Sequence, residues 1–104
     1  MAIINAVGYH EITLIITVAS GIGSADFQVM VVRIDTIAFD IPGSLTFDYE
    51  IVDRNSRGVT GKTGLVGDNT LVVDRLCLGQ NTLKISNGAT DGTYLATLRM
   101  RTYN

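Results

Sequence analysis

The chain has 104 residues, a formal net charge of −2 and a single cysteine, which suits one domain able to bury its own core without a disulfide. The acidic balance excludes the dense positive groove or stripe that nucleic acid requires, since the arginines form only two small clusters, Arg54 with Arg57 and Arg99 with Arg101. The run ITLIITVA is too short to span a bilayer and no basic segment precedes it, so neither a membrane partner nor a secretion signal is expected.

Val, Ile and Thr dominate the composition, whereas Glu and Lys occur twice each, a balance that favours pleated sheet over exposed helix. In chain order, residues 2–7 read as a first strand or an extended arm, and Gly8-Tyr9-His10 as a break. Residues 11–19 form a strand with Ile12, Leu14, Ile16 and Val18 on its apolar face. Ser20 to Ser24 (SGIGS) is a flexible turn. Residues 27–37 are the most apolar stretch and read as a central strand buried on both faces, with an irregularity near Asp35. Pro42-Gly43 suits the middle of a type II turn.

Residues 45–52 alternate cleanly, with Leu45, Phe47, Tyr49 and Ile51 inward and Thr46, Asp48 and Glu50 outward. Residues 54–69 follow as a long glycine-rich loop. Residues 70–78 are a strand, Gly79-Gln80-Asn81 a turn, and residues 82–86 a short strand. After the loop NGATDG, residues 93–103 close the chain with Tyr94, Ala96, Leu98 and Met100 inward. The pattern predicts an all-β, antiparallel two-sheet sandwich of jelly-roll or immunoglobulin-like type, about 7–8 strands, in a single domain over 1–104.

Gly61-Lys62-Thr63 matches the core of a phosphate-binding loop. That loop needs a glycine where this chain has Ser56, and a helix directly after the Thr to present free N–H groups. Gly64, Gly67, Asp68 and Asn69 forbid such a helix, so no nucleotide site is expected. DRNSRG, residues 53–58, fails as a calcium loop because Arg57 takes a ligand position and no closing Glu follows; an Asx turn is expected instead. His10 lacks partners for zinc and reads as a turn-proximal surface residue. Cys77 sits in an apolar run and reads as buried. Asp48 and Glu50 share a strand face, an ordinary arrangement for a solvated strand. No Gly-x-Ser-x-Gly elbow accompanies the Ser and Asp residues. The chain therefore offers no catalytic, cofactor-binding or metal-ligating residues, no cofactor, and no enzyme is expected.

Asp-Gly-x-Tyr entering the last strand, in DGTYLATLRMR, resembles the corner-tyrosine segment of immunoglobulin-like sandwiches. The Cys pair, the core Trp and a following strand are absent from the sequence, and this favours a jelly roll or another sandwich topology. With charged residues at 17% and apolar residues at 46%, part of the outside is expected to be covered by a partner. In size, all-β character, sparse charge, flexible loops and want of a secretion signal, the whole chain resembles small phage capsid decoration, or cement, proteins. That resemblance implies a homotrimer or similar homo-oligomer bound to a major capsid protein, holding neighbouring capsomers together. The loop 54–69 and the arm 2–9 would be the gripping parts, and the place of action the virion after synthesis in the host cytoplasm, or else the cytoplasm. The alternative is a carbohydrate- or receptor-binding sandwich such as a phage fibre tip. Against it, the chain has no Trp, and Tyr49, Tyr94 and Tyr103 occupy strand or chain-end positions.

Overall fold

A computed structural model describes residues 9–43 and 45–102. They form six antiparallel strands: β1 (Tyr9–Val18), β2 (Gly23–Asp40), β3 (Thr46–Asp53), β4 (Gly58–Val66), β5 (Asn69–Ser86) and β6 (Gly92–Thr102). The strands make one sheet in the order β1-β6-β2-β5-β3-β4, and no helix occurs among the described residues. The expected first strand at 2–7 lies outside the described residues, as does all of the proposed arm 2–9 except Tyr9.

β2 and β5 are each 18 residues long and change neighbours part-way. Residues 23–29 of β2 pair with residues 79–85 of β5, whose other side pairs with β3. Beyond a register shift between Val29 and Val32, residues 32–39 of β2 pair with β5 near its start and with β6 on the other side. The sheet therefore has two flanks joined by two bent strands. The first contains β1, β6, residues 32–40 and residues 69–77; the second contains residues 23–29, residues 79–86, β3 and β4. Phe47 of β3 meets Tyr94 of β6 at 5.7 Å between ring centroids, and Phe39 of β2 lies 5.1 Å from Phe47. Neither pair joins adjacent strands, so the sheet curls until its buried faces touch.

The core follows the alternation in the sequence. Leu14, Ile16 and Val18 of β1, Phe47, Tyr49 and Ile51 of β3, and Tyr94, Ala96, Leu98 and Met100 of β6 are all buried. β2 is central, and both its pairings skip a residue between Ile34 and Thr36, at Asp35. Gly43 takes φ +77, the left-handed value a type II turn requires after Pro42.

Several expectations need correction. Residues 54–69 are not one loop: Gly58–Val66 is β4, paired along β3. Its glycines bring the two backbones close, and a Cβ on Gly61 would stand 3.0 Å from the Tyr49 carbonyl oxygen. Residues 79–81 do not end a strand. Gly79, at φ +72, bends β5 without breaking it, and the Asn81 amide donates to the Leu78 and Gly79 carbonyl oxygens at 3.2 and 3.1 Å across the bend. Tyr9 and His10 are not a break but the start of β1. Finally, β2 is not buried on both faces, and Met30 is 83% exposed at the bend. Leu45 likewise faces out rather than in. Six strands replace the expected 7–8 because two long strands each run through both flanks.

Candidate interaction surfaces

The carboxylates are mostly committed to holding the fold. Asp53 accepts from the backbone N–H of Asn55 and of Arg57, both at 2.9 Å, and so makes the Asx turn of the β3–β4 hairpin. Asp91 accepts from Ser20 and Gly21 at 3.0 and 3.1 Å, tying the β1–β2 turn to the loop before β6. Asp68 accepts from the Ile41 N–H, and Asp26 from the Thr82 hydroxyl at 2.7 Å. Asp48 accepts from the Asn87 amide at 2.7 Å and the Gly64 N–H at 2.8 Å. The Asn87 bond, and then the Gly64 bond, hold its carboxyl below the usual range.

The residues with chemical potential are not brought together. His10 is exposed on β1. Cys77 lies on β5, with β6 and β2 between them, so their backbones are about 14 Å apart at ordinary strand spacing. Burial pushes the Cys77 thiol up to about 11, with the Asp53 charge adding to the shift, which keeps it a protonated apolar filler. Gly61, Lys62 and Thr63 lie within β4, and the strand continues to Val66. No helix N-terminus therefore faces them. No group of three or more His, Cys, Asp or Glu side chains suited to a metal occurs among the described residues.

Two outer surfaces remain, and they differ in character. On the second flank, Ser24 stands opposite Lys84, Lys84 opposite Glu50, and Glu50 opposite Gly61. With Asp48, Lys62 and Thr63 they line a shallow, open groove of about 850 Å³. Lys62 and Lys84 form no ion pair among the described residues. The groove thus offers hydroxyls and both signs of charge but no exposed aromatic ring.

On the first flank, ion pairs among the described residues band the surface: Arg99 to Glu11 at 2.8 Å, Arg101 to Asp35 at 2.8 Å and Arg33 to Asp74 at 3.0 Å. Beside them, at the bend, is an apolar patch. Met30 lies in the stretch of β2 that bulges opposite Leu78, and Leu76 stands opposite Arg33. Met30, Leu76 and Leu78 are each more than half exposed, and Val72 further along β5 is 84% exposed. Sequence reasoning foresaw surplus apolar surface but not its position. Leu76 and Leu78 flank buried Cys77 in one alternating run, and only the strand pairing decides which face meets solvent.

No protein-family model matches the chain, and no curated protein matches it in sequence.

Proposed function

We propose that this chain is a non-enzymatic structural protein of jelly-roll architecture that binds and stabilises a viral shell, as phage capsid decoration proteins do. Strand order supports the architecture. Counting the halves of β2 and β5 separately, the chain crosses between two four-stranded antiparallel groups at every step except from β3 to β4: β1, β6, 32–40 and 69–77 are in one, and 23–29, 79–86, β3 and β4 in the other. That order fits the winding of a jelly roll, and the ring contacts between Phe39, Phe47 and Tyr94 fit packing of the two groups face to face.

One observation carries the adhesive role: Met30, Leu76 and Leu78 project into solvent together at the bend, where a chain working alone gains nothing from exposed apolar side chains. Committing most carboxylates to turns and ion pairs, and holding the thiol buried, fits a role in contact rather than chemistry. The test is to express the tagged chain in its native host and image particles that co-purify with it by cryo-electron microscopy. Ordered density for the chain on a protein shell supports the proposal; its absence from every purified particle overturns it.

The second-flank groove favours a second reading, a site for a hydroxyl-rich ligand such as a glycan, hydrogen-bonded by Ser24, Lys62, Thr63 and Lys84. Binding on a glycan array that Lys84→Ala abolishes would support this reading over the first.

A further inference from the structure

We infer that Asn87 is a site of spontaneous covalent modification, by cyclisation onto Gly88 with loss of its side-chain amide, which the fold holds off by clamping that amide on Asp48. The inference concerns the chain's own chemistry and does not rest on the proposed function.

Asparagine followed by glycine is the pair most prone to this reaction, because glycine leaves the attacking nitrogen unshielded. Of the six asparagines, Asn87 alone precedes glycine. The Gly88 nitrogen gives up its proton to water and bonds to Cγ of Asn87. The Cγ–Nδ2 bond breaks, and Nδ2 takes up a proton and leaves as ammonia. Water then opens the cyclic imide at either carbonyl, leaving aspartate or isoaspartate at position 87. Nothing is oxidised or reduced.

Shape requires this reactive pair here. Asn87 takes φ 50, a left-handed value that asparagine tolerates better than most residues. Gly88 has no room for a side chain: an added Cβ would stand 2.9 Å from the Tyr94 hydroxyl and 3.3 Å from Val18 Cγ1.

The fold withholds what ring closure needs. The Gly88 N–H is engaged, donating to the Gly21 carbonyl oxygen at 3.0 Å, and the next N–H, of Ala89, donates to the Thr46 carbonyl oxygen at 3.0 Å. The Asn87 amide donates to Asp48 Oδ2 at 2.7 Å, which fixes the side chain that must close on Gly88. The other Asp48 oxygen accepts from the Gly64 N–H at 2.8 Å, where the β3–β4 pairing shifts register, so the clamp is itself fixed to the sheet. Its negative charge beside the amide also opposes the negative charge that the amide oxygen gains as the ring closes. Asn87 is exposed, so the clamp provides the protection, and exclusion of water does not.

The product cannot be clamped again. Aspartate at position 87 sets a second carboxylate against Asp48 where a donor stood, and like charges at that distance repel. Isoaspartate adds a backbone carbon beside Gly88, where packing leaves no space. Modification thus turns a transient opening of the β5–β6 loop into a lasting one.

The test is peptide mapping of position 87 by mass spectrometry during prolonged incubation in mildly alkaline buffer, with isoaspartate counted by enzymatic methylation. Protection is the ratio of the rate in urea-unfolded chain to that in folded chain at the same temperature. It is measured for wild type, Asp48→Ala, Asp48→Asn and Ile37→Val, each held equally far below its own Tm. Ile37→Val lowers stability in the first flank, away from the clamp, and is the control. We expect a protection of at least about tenfold in wild type, kept by Ile37→Val. Asp48→Ala should lose at least about fivefold of it. Asp48→Asn, which keeps an acceptor oxygen without the charge, should fall between, and it carries the comparison if Asp48→Ala does not fold. Wild type that reacts as fast folded as unfolded overturns the inference, as does protection that both Asp48 variants retain in full. Asn87→Asp, made directly, should lower Tm by at least about 4 °C; an unchanged Tm would overturn the lasting opening.

Discussion

Replacing Tyr94 by Phe tests how the loop between β5 and β6 is anchored. Tyr94 is fully buried, and its hydroxyl donates to the Thr90 carbonyl oxygen at 2.6 Å. The edge-on contact of its ring with Phe47 survives in Phe, so the substitution removes one hydrogen bond and leaves a half-buried carbonyl short of a donor. The expected loss is ~1–2 kcal/mol, which for a chain of this size lowers Tm by roughly 5–15 °C. The same hydroxyl limits Gly88, where an added Cβ would stand 2.9 Å from it and 3.3 Å from Val18 Cγ1. Gly88→Ala is therefore expected to cost less in Tyr94→Phe protein than in wild type, with a coupling of at least ~0.5 kcal/mol. Urea unfolding of the four proteins in this cycle measures both quantities. An unchanged midpoint for Tyr94→Phe, or strict additivity with Gly88→Ala, would refute the anchoring argument.

Gly23→Ala should destabilise by ~1–3 kcal/mol or abolish folding, because its Cβ would fall 2.5 Å from the Thr17 carbonyl oxygen; Gly64→Ala, with open space but φ +70, should cost only ~1–2 kcal/mol, and chemical denaturation that ranks them the other way counts against the packing described. Asp91→Ala removes the acceptor for Ser20 and Gly21 and is expected to lower stability by ~1–2 kcal/mol, again read by urea unfolding. Native Cys77 should react with iodoacetamide at pH 8 only as fast as the protein opens, since burial holds its thiol up to about 11; rapid native labelling would contradict that burial. Burial also raises Tyr49 and Tyr94 above their ordinary value of 10.0. The folded state thus holds these three protons more tightly than the unfolded state does. Their contribution is complete below the unfolded values, 9.0 for the thiol and 10.0 for the phenols. It is lost as pH rises through the folded ones. Tm should accordingly fall from about pH 9 upward, with Cys77→Ala falling less steeply at the start.

Much of the strand content was legible because side chains alternate across a pleat. Phe47, Tyr49 and Ile51, or Tyr94, Ala96, Leu98 and Met100, declare their buried face by spacing alone. The irregularity at Asp35 showed as a charged residue inside an apolar run. The Asx turn at Asp53 and the turn at Pro42-Gly43 were readable because their signals are local. The β4 segment was not legible: glycine is the usual mark of a loop, and only the closeness of the β3 backbone explains Gly61 within a strand. The bend of β5 was hidden for a similar reason, since Gly79 and Asn81 read as a turn until their hydrogen bonds show the strand running through them. The apolar patch was foreseen as surplus and not as a place.

By itself, the sequence determined an antiparallel all-β chain and the inward set of most strands, because period-two alternation and turn chemistry act over a few residues. Only the tertiary structure decided that β2 and β5 each serve both flanks, that β4 exists, and that Met30, Leu76 and Leu78 emerge together at the bend. Those outcomes depend on pairings between residues tens of positions apart, and no local pattern encodes which strand a given strand will meet.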